Sequence, residues 1–451
     1  MNKIDRFEIC GLLGIGGMGK VFKVKLPVIG KIAALKLLEP NPFLVSLIGA
    51  EKIKKLFISE AVTMANLRHP NIVEIWDFGE SDGRPYYVMD YFCNNLGSMI
   101  GESYQAEIPS RIIRIDKAVH YTRQILEGLS CLHHAGIIHR DIKPFNMLVT
   151  EQDSIKISDF GLSRLRGESF EGPPGLKVGS PWYAAPEQER DPDKADFSAD
   201  LYAAGITIYR MLTGRLSAER YEPPGKYNPD LDESWDFFIS KATARKPEAR
   251  FESAKAMREN LEEVYDGWKR KNDMICGLPE KTFPGNKGGL KRVKLRSSGI
   301  KTGVRKSSEI LGVDILWRPS SYVENDFTVA AEGTVADRAT GLLWQQSGSE
   351  YPMTWEKARA YIDKLNESGS GGRTDWRLPT IDELMSLLVR TPHGDEYCIE
   401  PVFDRNQKWL WSSDRRSFTS AWYVSVEMGF VSWQDFTAYY HVKGVCSLTA
   451  P

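Results

Sequence analysis

Hydrophobic and polar positions alternate through the first 40 residues and break at glycines. Residues 7–22, FEICGLLGIGGMGKVF, read as two β-like runs around a glycine-rich turn, and Lys20–Lys25 continues as a strand instead of opening a helix. Ile32–Leu38, IAALKLL, is a β-rich run carrying one lysine in an apolar setting. The period then changes. In residues 51–67, Leu56, Phe57, Met64 and Leu67 recur at helical spacing, which predicts a helix with those four toward the core and Glu60 on or beside the buried stripe. A turn follows at Ser81–Arg84. Apolar positions 118, 119, 125, 126, 129 and 132 mark one face of a helix that ends at Gly136. From Leu162 the periodicity is lost in glycine, proline and charge, and it returns in the apolar run from Phe197 and in a helical stretch to about Tyr265.

Residues 268–308 break the composition with GNKGG, SSG and a dozen basic residues, the pattern of a mobile, self-repelling connector. Beyond it, GTVADRATGLLWQQ predicts a hairpin, MTWEKARAYIDKLN a helix, and DWRLPTIDELMSLL a second helix with a Thr380…Glu383 capping box. WLWSSDR and SAWYVSVEMGFVSW alternate as strands.

At 451 residues the chain exceeds one ordinary core, so two or three domains are expected. The formal charge of −1 hides an uneven distribution: residues 1–266 carry 34 Lys/Arg against 38 Asp/Glu, residues 267–315 carry 12 against 4, and residues 316–451 carry 13 against 18. A basic connector therefore joins two mildly acidic bodies. It lacks interleaved aromatics, so a solvated linker is expected in preference to a nucleic-acid site. No apolar run of about 18 residues predicts a membrane span, and the N-terminus does not open like a signal peptide. Six cysteines without a C-x-x-C pair suit reduced thiols, no zinc site and a cytoplasmic location.

The chemistry is concentrated in residues 138–161, IHRDIKPFNMLVTEQDSIKISDFG. Asp141, Asn146 and Asp159 supply the oxygens needed by a general base and by hard cations on a triphosphate. Gly14, Gly16 and Gly19 with Val21 form a G-x-G-x-x-G loop, which alone also suits a plain hairpin. HRDxKPxN followed by DFG resembles the eukaryotic-type protein kinases, and the KP pair looks like their Ser/Thr branch. The resemblance implies a bilobal fold binding ATP with Mg²⁺, or Mn²⁺ in its place. It assigns Asp141 as base, Lys143 to the transferred phosphoryl group, Asn146 and Asp159 to the metal, Lys36 with Glu60 to the phosphates, and Asp90 to Phe92 to the adenine hinge. His139 and Phe160 would be spine residues, Arg140 the partner of a phosphorylated loop, and Asp200 the anchor of the catalytic-loop backbone. Arg250 would pair with Glu187 of the Ala-Pro-Glu motif, and Ser180 would contact the catalytic loop. Ser169, mid-loop among glutamates, is a candidate phosphorylation site paired with Arg140. Protein substrates and autophosphorylation in trans follow from the same resemblance.

Eight of the 12 tryptophans lie at or after Trp317, which implies an aromatic-rich core or a binding surface. RATGLLW, TWEKARAY, DWRLPT, WSS and AWYV resemble the Lcl C-terminal domain family, related in pattern to C-type-lectin-like folds. That resemblance implies a glycan or protein ligand. Asp375, Arg377, Asp404 and Asp414 are candidates for calcium or sugar, or turn-stabilising charges. Trp409, Trp411, Trp422 and Trp433 are a candidate carbohydrate platform, or core. The expected fold class is α+β multidomain: a kinase domain over 1–266 (small lobe about 1–92, large lobe about 93–266), a linker over 267–315, and a small C-type-lectin-like α+β domain over 316–451. The expected function is Ser/Thr phosphorylation with a sensing or targeting domain; the rivals are a nonenzymatic pseudokinase scaffold and a carbohydrate-binding protein.

Overall fold

The computed structural model describes residues 3–105, 107–159, 164–165, 180, 182–191, 195–216, 222–275, 292–303, 307–330, 333–393 and 397–448. The chain divides into two compact units, Met1–Leu278 and Pro279–Pro451.

In the first unit, β1 (Lys3–Ile4), β2 (Phe7–Ile15), β3 (Gly19–Lys25), β4 (Ile32–Leu38), β5 (Ile75–Ser81) and β6 (Arg84–Asp90) form one antiparallel sheet in the order β1-β2-β3-β4-β6-β5. The glycine turn closes β2 on β3, with Gly16 N–H donating to Gly19 O at 2.8 Å. Gly19 is required sterically, because a Cβ there would sit 2.1 Å from Leu37 O of β4. A short helix, α1 (Pro42–Ile48), capped by Asn41, precedes α2 (Ala50–Ala65). Ile53, Phe57, Glu60, Ala61 and Met64 face inward from α2, and Leu67 is buried just beyond it. Leu56, expected in the stripe, is 42% exposed, because the sheet meets the helix one residue further round, at Phe57.

The helical part of this unit is built on α3 (Ile115–His134), whose six stripe positions are all buried. The short strands β7 (Met147–Val149) and β8 (Ile155–Ile157) pair antiparallel and hold the chain between them at fixed length. Behind them α4 (Phe197–Thr213), capped by Asp196 and ended at Gly214, is buried on nearly every side. It therefore brings two charged residues, Asp200 and Arg210, into the interior. Arg210 is matched there by Glu102, with Nε to Oε2 at 2.8 Å and neither side chain exposed. α5 (Glu233–Ala242) and α6 (Ala254–Ile275) complete the unit. Helix α6 runs nine residues beyond the expected domain end at 266.

The second unit is strand-rich. β9 (Phe327–Ala330), β10 (Thr334–Asp337), β11 (Leu342–Gln345) and β15 (Val445–Ser447) form one antiparallel sheet, and β12 (Trp409–Arg415), β13 (Ser420–Ser425) and β14 (Phe430–Asp435) another. Helices α7 (Trp355–Glu367) and α8 (Ile381–Ser386) lie between them in sequence, and α8 carries the expected Thr380–Glu383 capping box. Trp344, Trp411 and Trp422 are fully buried and Trp409 nearly so, so packing takes most of the expected platform. Three of the four charged candidates are engaged within the protein, and the Asp404 N–H donates to Gln346 O at 3.4 Å. Asp375 pairs with Arg373, Arg377 with Glu383, and Asp414 is fully buried.

The expected 267–315 connector is partly folded. Leu295 packs against the core that includes Leu311, Val313 and Trp422. Arg296 grips Asp414 with two hydrogen bonds, at 2.7 and 2.9 Å, and Ile300 N–H adds a third at 2.7 Å. Its charge is spent inside the protein, on a carboxylate that has no other cation among the described residues. Among the described residues no helix is long and apolar enough to cross a membrane.

Candidate active site

Strand β4 brings Lys36 to the centre of the first sheet, opposite α2. Its Nζ donates to Glu60 Oε1 at 2.9 Å and to Asp159 Oδ1 at 3.1 Å. Burial pulls the Lys36 ammonium toward lower pKa, but Asp159 and Glu60 outweigh it, so it titrates well above its usual value. Lys36 in turn draws the Asp159 carboxyl down to about 2 against the opposing effect of burial. Asp159 follows β8 in a left-handed backbone conformation, φ 63°, which turns its carboxylate back toward Lys36. Tyr87 of β6, which the sequence reading passed over, donates its hydroxyl to the same Glu60 oxygen at 2.9 Å.

A second cluster lies on the loop before β7. Asp141 Oδ1 accepts from Ser180 Oγ at 2.8 Å, and Oδ2 accepts from Lys143 Nζ at 2.7 Å and Asn146 Nδ2 at 3.0 Å. Lys143 also donates to Ser180 Oγ at 2.7 Å. Asn146 ties the loop to itself through Nδ2 to Asp141 O at 2.8 Å, and to the strand beyond through Ser158 N–H to Asn146 O at 2.9 Å. With its amide nitrogen so engaged, the Asn146 oxygen is left as a hard donor.

The loop is fixed from below. Asp200 accepts from His139 N–H at 2.9 Å and Arg140 N–H at 2.7 Å, and bonds His133 Nε2 at 2.9 Å. Burial pushes the Asp200 carboxyl up, yet the hydrogen bond and charge of His133 and the proximity of His139 leave it below its usual value. His139 is fully buried with Nε2 3.2 Å from Ser158 O, and Arg140 takes φ 67°. Gln188 Nε2 donates to Arg140 O at 2.7 Å. His133 and Gln188 were also missed, since only the fold brings them to this loop.

Arg250 and Glu187 meet at 2.6 and 2.8 Å, and Arg250 NH1 also reaches Ser198 O at 3.0 Å. Arg250→Ala is expected to cost about 2–3 kcal/mol, on the low side for a broken buried pair because Glu187 keeps a route to water. Chemical denaturation checks this; an unchanged midpoint would count against the pair.

Gly14 and Val21 face each other across the β2–β3 hairpin, with Gly16 and Gly19 in its turn. Asp90 ends β6 with its carboxylate 3.3 Å from Lys31, and Phe92 is half-buried just beyond. The glycine turn, Lys36 and Asp90 thus share one sheet, with Glu60 brought to Lys36 from helix α2, while Asp141, Lys143, Asn146 and Ser180 form one hydrogen-bonded cluster. Phe160 and Ser169 lie outside the described residues.

Residues 7–271 match the family model described as Protein kinase domain, and residues 333–446 match the Lcl C-terminal domain. A probable serine/threonine-protein kinase of Clostridium perfringens is 31% identical over 58% of this chain and 38% of its own length. Serine/threonine-protein kinase pkn3 of Myxococcus xanthus is 31% identical over 57% of this chain and 50% of its own. PrkC of Bacillus subtilis is 30% identical over 58% and 41%. The chain thus spans half or less of the length of these relatives. The matched family implies ATP and a divalent metal. The donor set fits such a metal: Asp159 and Asn146 offer hard oxygens, and among the described residues no group of three or more His, Cys, Asp or Glu forms a self-sufficient site. A cation here would complete its shell from phosphate and water. With more than half of the 451 residues matched, and the lysine, glutamate and catalytic-loop aspartate in the contacts described, the chain belongs to the protein kinase family.

Proposed function

We propose that this chain is a Ser/Thr protein kinase that moves the γ-phosphoryl group of ATP to protein hydroxyls. The observation that carries this reading is the cluster on Asp141, where a carboxylate, an ammonium and a hydroxyl are joined by bonds of 2.7–2.8 Å. Ser180 Oγ, which donates to Asp141 Oδ1, stands in for an incoming substrate hydroxyl: a group held within hydrogen-bond reach of the base. Asp141 orients that hydroxyl and accepts its proton. Lys143, beside it, offsets the charge that gathers on the transferred group. Lys36, fixed by Glu60, meets the α- and β-phosphates, and backbone N–H groups of the Gly14–Gly19 turn cover them. Asn146 and Asp159 would hold Mg²⁺, with Mn²⁺ as a substitute, and the ion supplies charge neutralisation on the phosphates. The hinge at Asp90–Phe92 takes adenine through its backbone.

Ser180 belongs to substrate positioning, and phosphorylated Ser169, paired with Arg140, to activation by a second copy. The second unit is assigned ligand sensing or targeting, with a protein or glycan ligand. Cysteine usage, six residues without a C-x-x-C pair, is in keeping with a cytoplasmic location. The test is transfer of labelled phosphate from ATP to the chain itself or to a basic protein. Transfer is expected with Mg²⁺, and chelation by EDTA is expected to reduce it to background. Absence of transfer under all divalent ions would favour a scaffold.

A further inference from the structure

In the first sheet Tyr87 is the direct cross-strand partner of Lys36. Directly opposed residues of an antiparallel pair project to the same face, so both side chains emerge toward α2. The Tyr87 ring packs on Phe57 of α2 with centroids 5.1 Å apart, and its hydroxyl reaches Glu60 Oε1 at the same 2.9 Å as Lys36 Nζ. Glu60 is 4% exposed, and its other oxygen is buried with no hydrogen-bond partner among the described residues. A buried carboxylate in that position depends on every donor it has. One of its two donors, Lys36, is already shared with Asp159.

We propose that Tyr87 is a positioning residue of the nucleotide site, a second anchor that holds Glu60 and helix α2 inward while Lys36 moves between carboxylates and phosphate. It rests on the phosphoryl-transfer reading above. The ring alone would satisfy the packing against Phe57, so a phenylalanine would fill the same space; the hydroxyl is the part that acts on Glu60. Burial and the Glu60 charge keep that hydroxyl protonated far above its usual range, so it remains a donor wherever the enzyme works. In the free protein, where Lys36 is shared with Asp159, Tyr87 gives Glu60 a donor of its own. Without it, the inward state of α2 is less populated in the free protein, and apparent nucleotide affinity falls by that fraction. Once nucleotide is bound, Lys36 is clamped from both sides and turnover is little affected.

The test compares the full chain with its Tyr87→Phe variant. Loss of one hydrogen bond to a charged group predicts a rise of about tenfold in KM for ATP. Expected with it are a kcat within about twofold, faster amide exchange confined to residues 50–65, and little change in thermal midpoint. The idea is overturned if KM and the exchange of residues 50–65 match the wild type. It is equally overturned if exchange rises across the whole sheet with parallel losses in KM and kcat, since that marks packing alone. If the wild-type chain transfers no phosphate, the kinase reading fails by itself. Amide exchange of residues 50–65 and affinity for ATP–Mg²⁺ then still decide the role of Tyr87.

Discussion

Asp141→Asn is expected to lower phosphate transfer by about 10²–10⁴-fold, the range for removing a positioned general base, while leaving the fold and ATP affinity nearly intact. The carboxylate is only 8% exposed and accepts three side-chain hydrogen bonds, from Ser180, Lys143 and Asn146. An amide of the same shape can keep one oxygen in place, but its NH₂ must face donors where the second carboxylate oxygen stood. It also has no negative charge to receive a proton or to balance Lys143. The backbone support does not depend on that charge: His139 and Arg140 N–H groups are held by Asp200, and Ser158 N–H by Asn146 O. Initial rates with labelled ATP, alongside nucleotide binding and a thermal melt, separate the effects. A variant with wild-type turnover would remove Asp141 from the mechanism.

Arg296→Ala is expected to destabilise the second unit by about 3–5 kcal/mol, the cost of stranding a buried charge. Asp414 is 0% exposed and is bound by Arg296 through both oxygens, with Ile300 and Ile381 N–H groups donating as well. The Ile381 amide lies in the first turn of α8, so the same carboxylate fixes the start of that helix. The backbone donors remain in the variant, but the only cation on Asp414 among the described residues does not. Denaturation followed by tryptophan fluorescence reads this unit preferentially, because eight of 12 tryptophans lie at or after Trp317. A melting profile identical to wild type would show that Arg296 is dispensable. The result also bears on boundaries: a fragment beginning at 316 lacks Arg296, Ile300, Leu311 and Val313, and is expected to be less stable than one beginning before Arg292.

Much of the catalytic loop was legible because its chemistry is local. Asp141, Lys143 and Asn146 lie within six residues, and their spacing alone restricts them to one turn of chain before β7. Lys36 and Glu60 were legible for a different reason: each stands out against its neighbours, a lysine in a β-rich run and a glutamate beside an apolar stripe. Tyr87 was not legible, because its role follows from the register that sets it opposite Lys36. Glu102 and Arg210 escaped as well. They are 108 residues apart, and nothing near either one marks it as buried.

In the second unit the elements were readable and the roles were not. The Thr380–Glu383 capping box is a short-range pattern and appears as expected. The tryptophans alternate on strands, which is compatible with a platform or with a core. Trp422 is buried because Trp317 stacks on it at 5.4 Å from a distant segment, and Thr302 accepts its indole N–H at 3.0 Å.

By itself, then, the sequence determined the kinds of elements, their order, and which polar residues sit in apolar surroundings, since periodicity and spacing act over a few residues. Tertiary structure alone decided the partners that neither local pattern nor resemblance pointed to: Tyr87 for Glu60, Arg296 for Asp414, Arg210 for Glu102. A buried carboxylate must be matched by donors drawn from whatever strands and helices surround it, and that set depends on strand register and helix rotation, which local pattern does not encode.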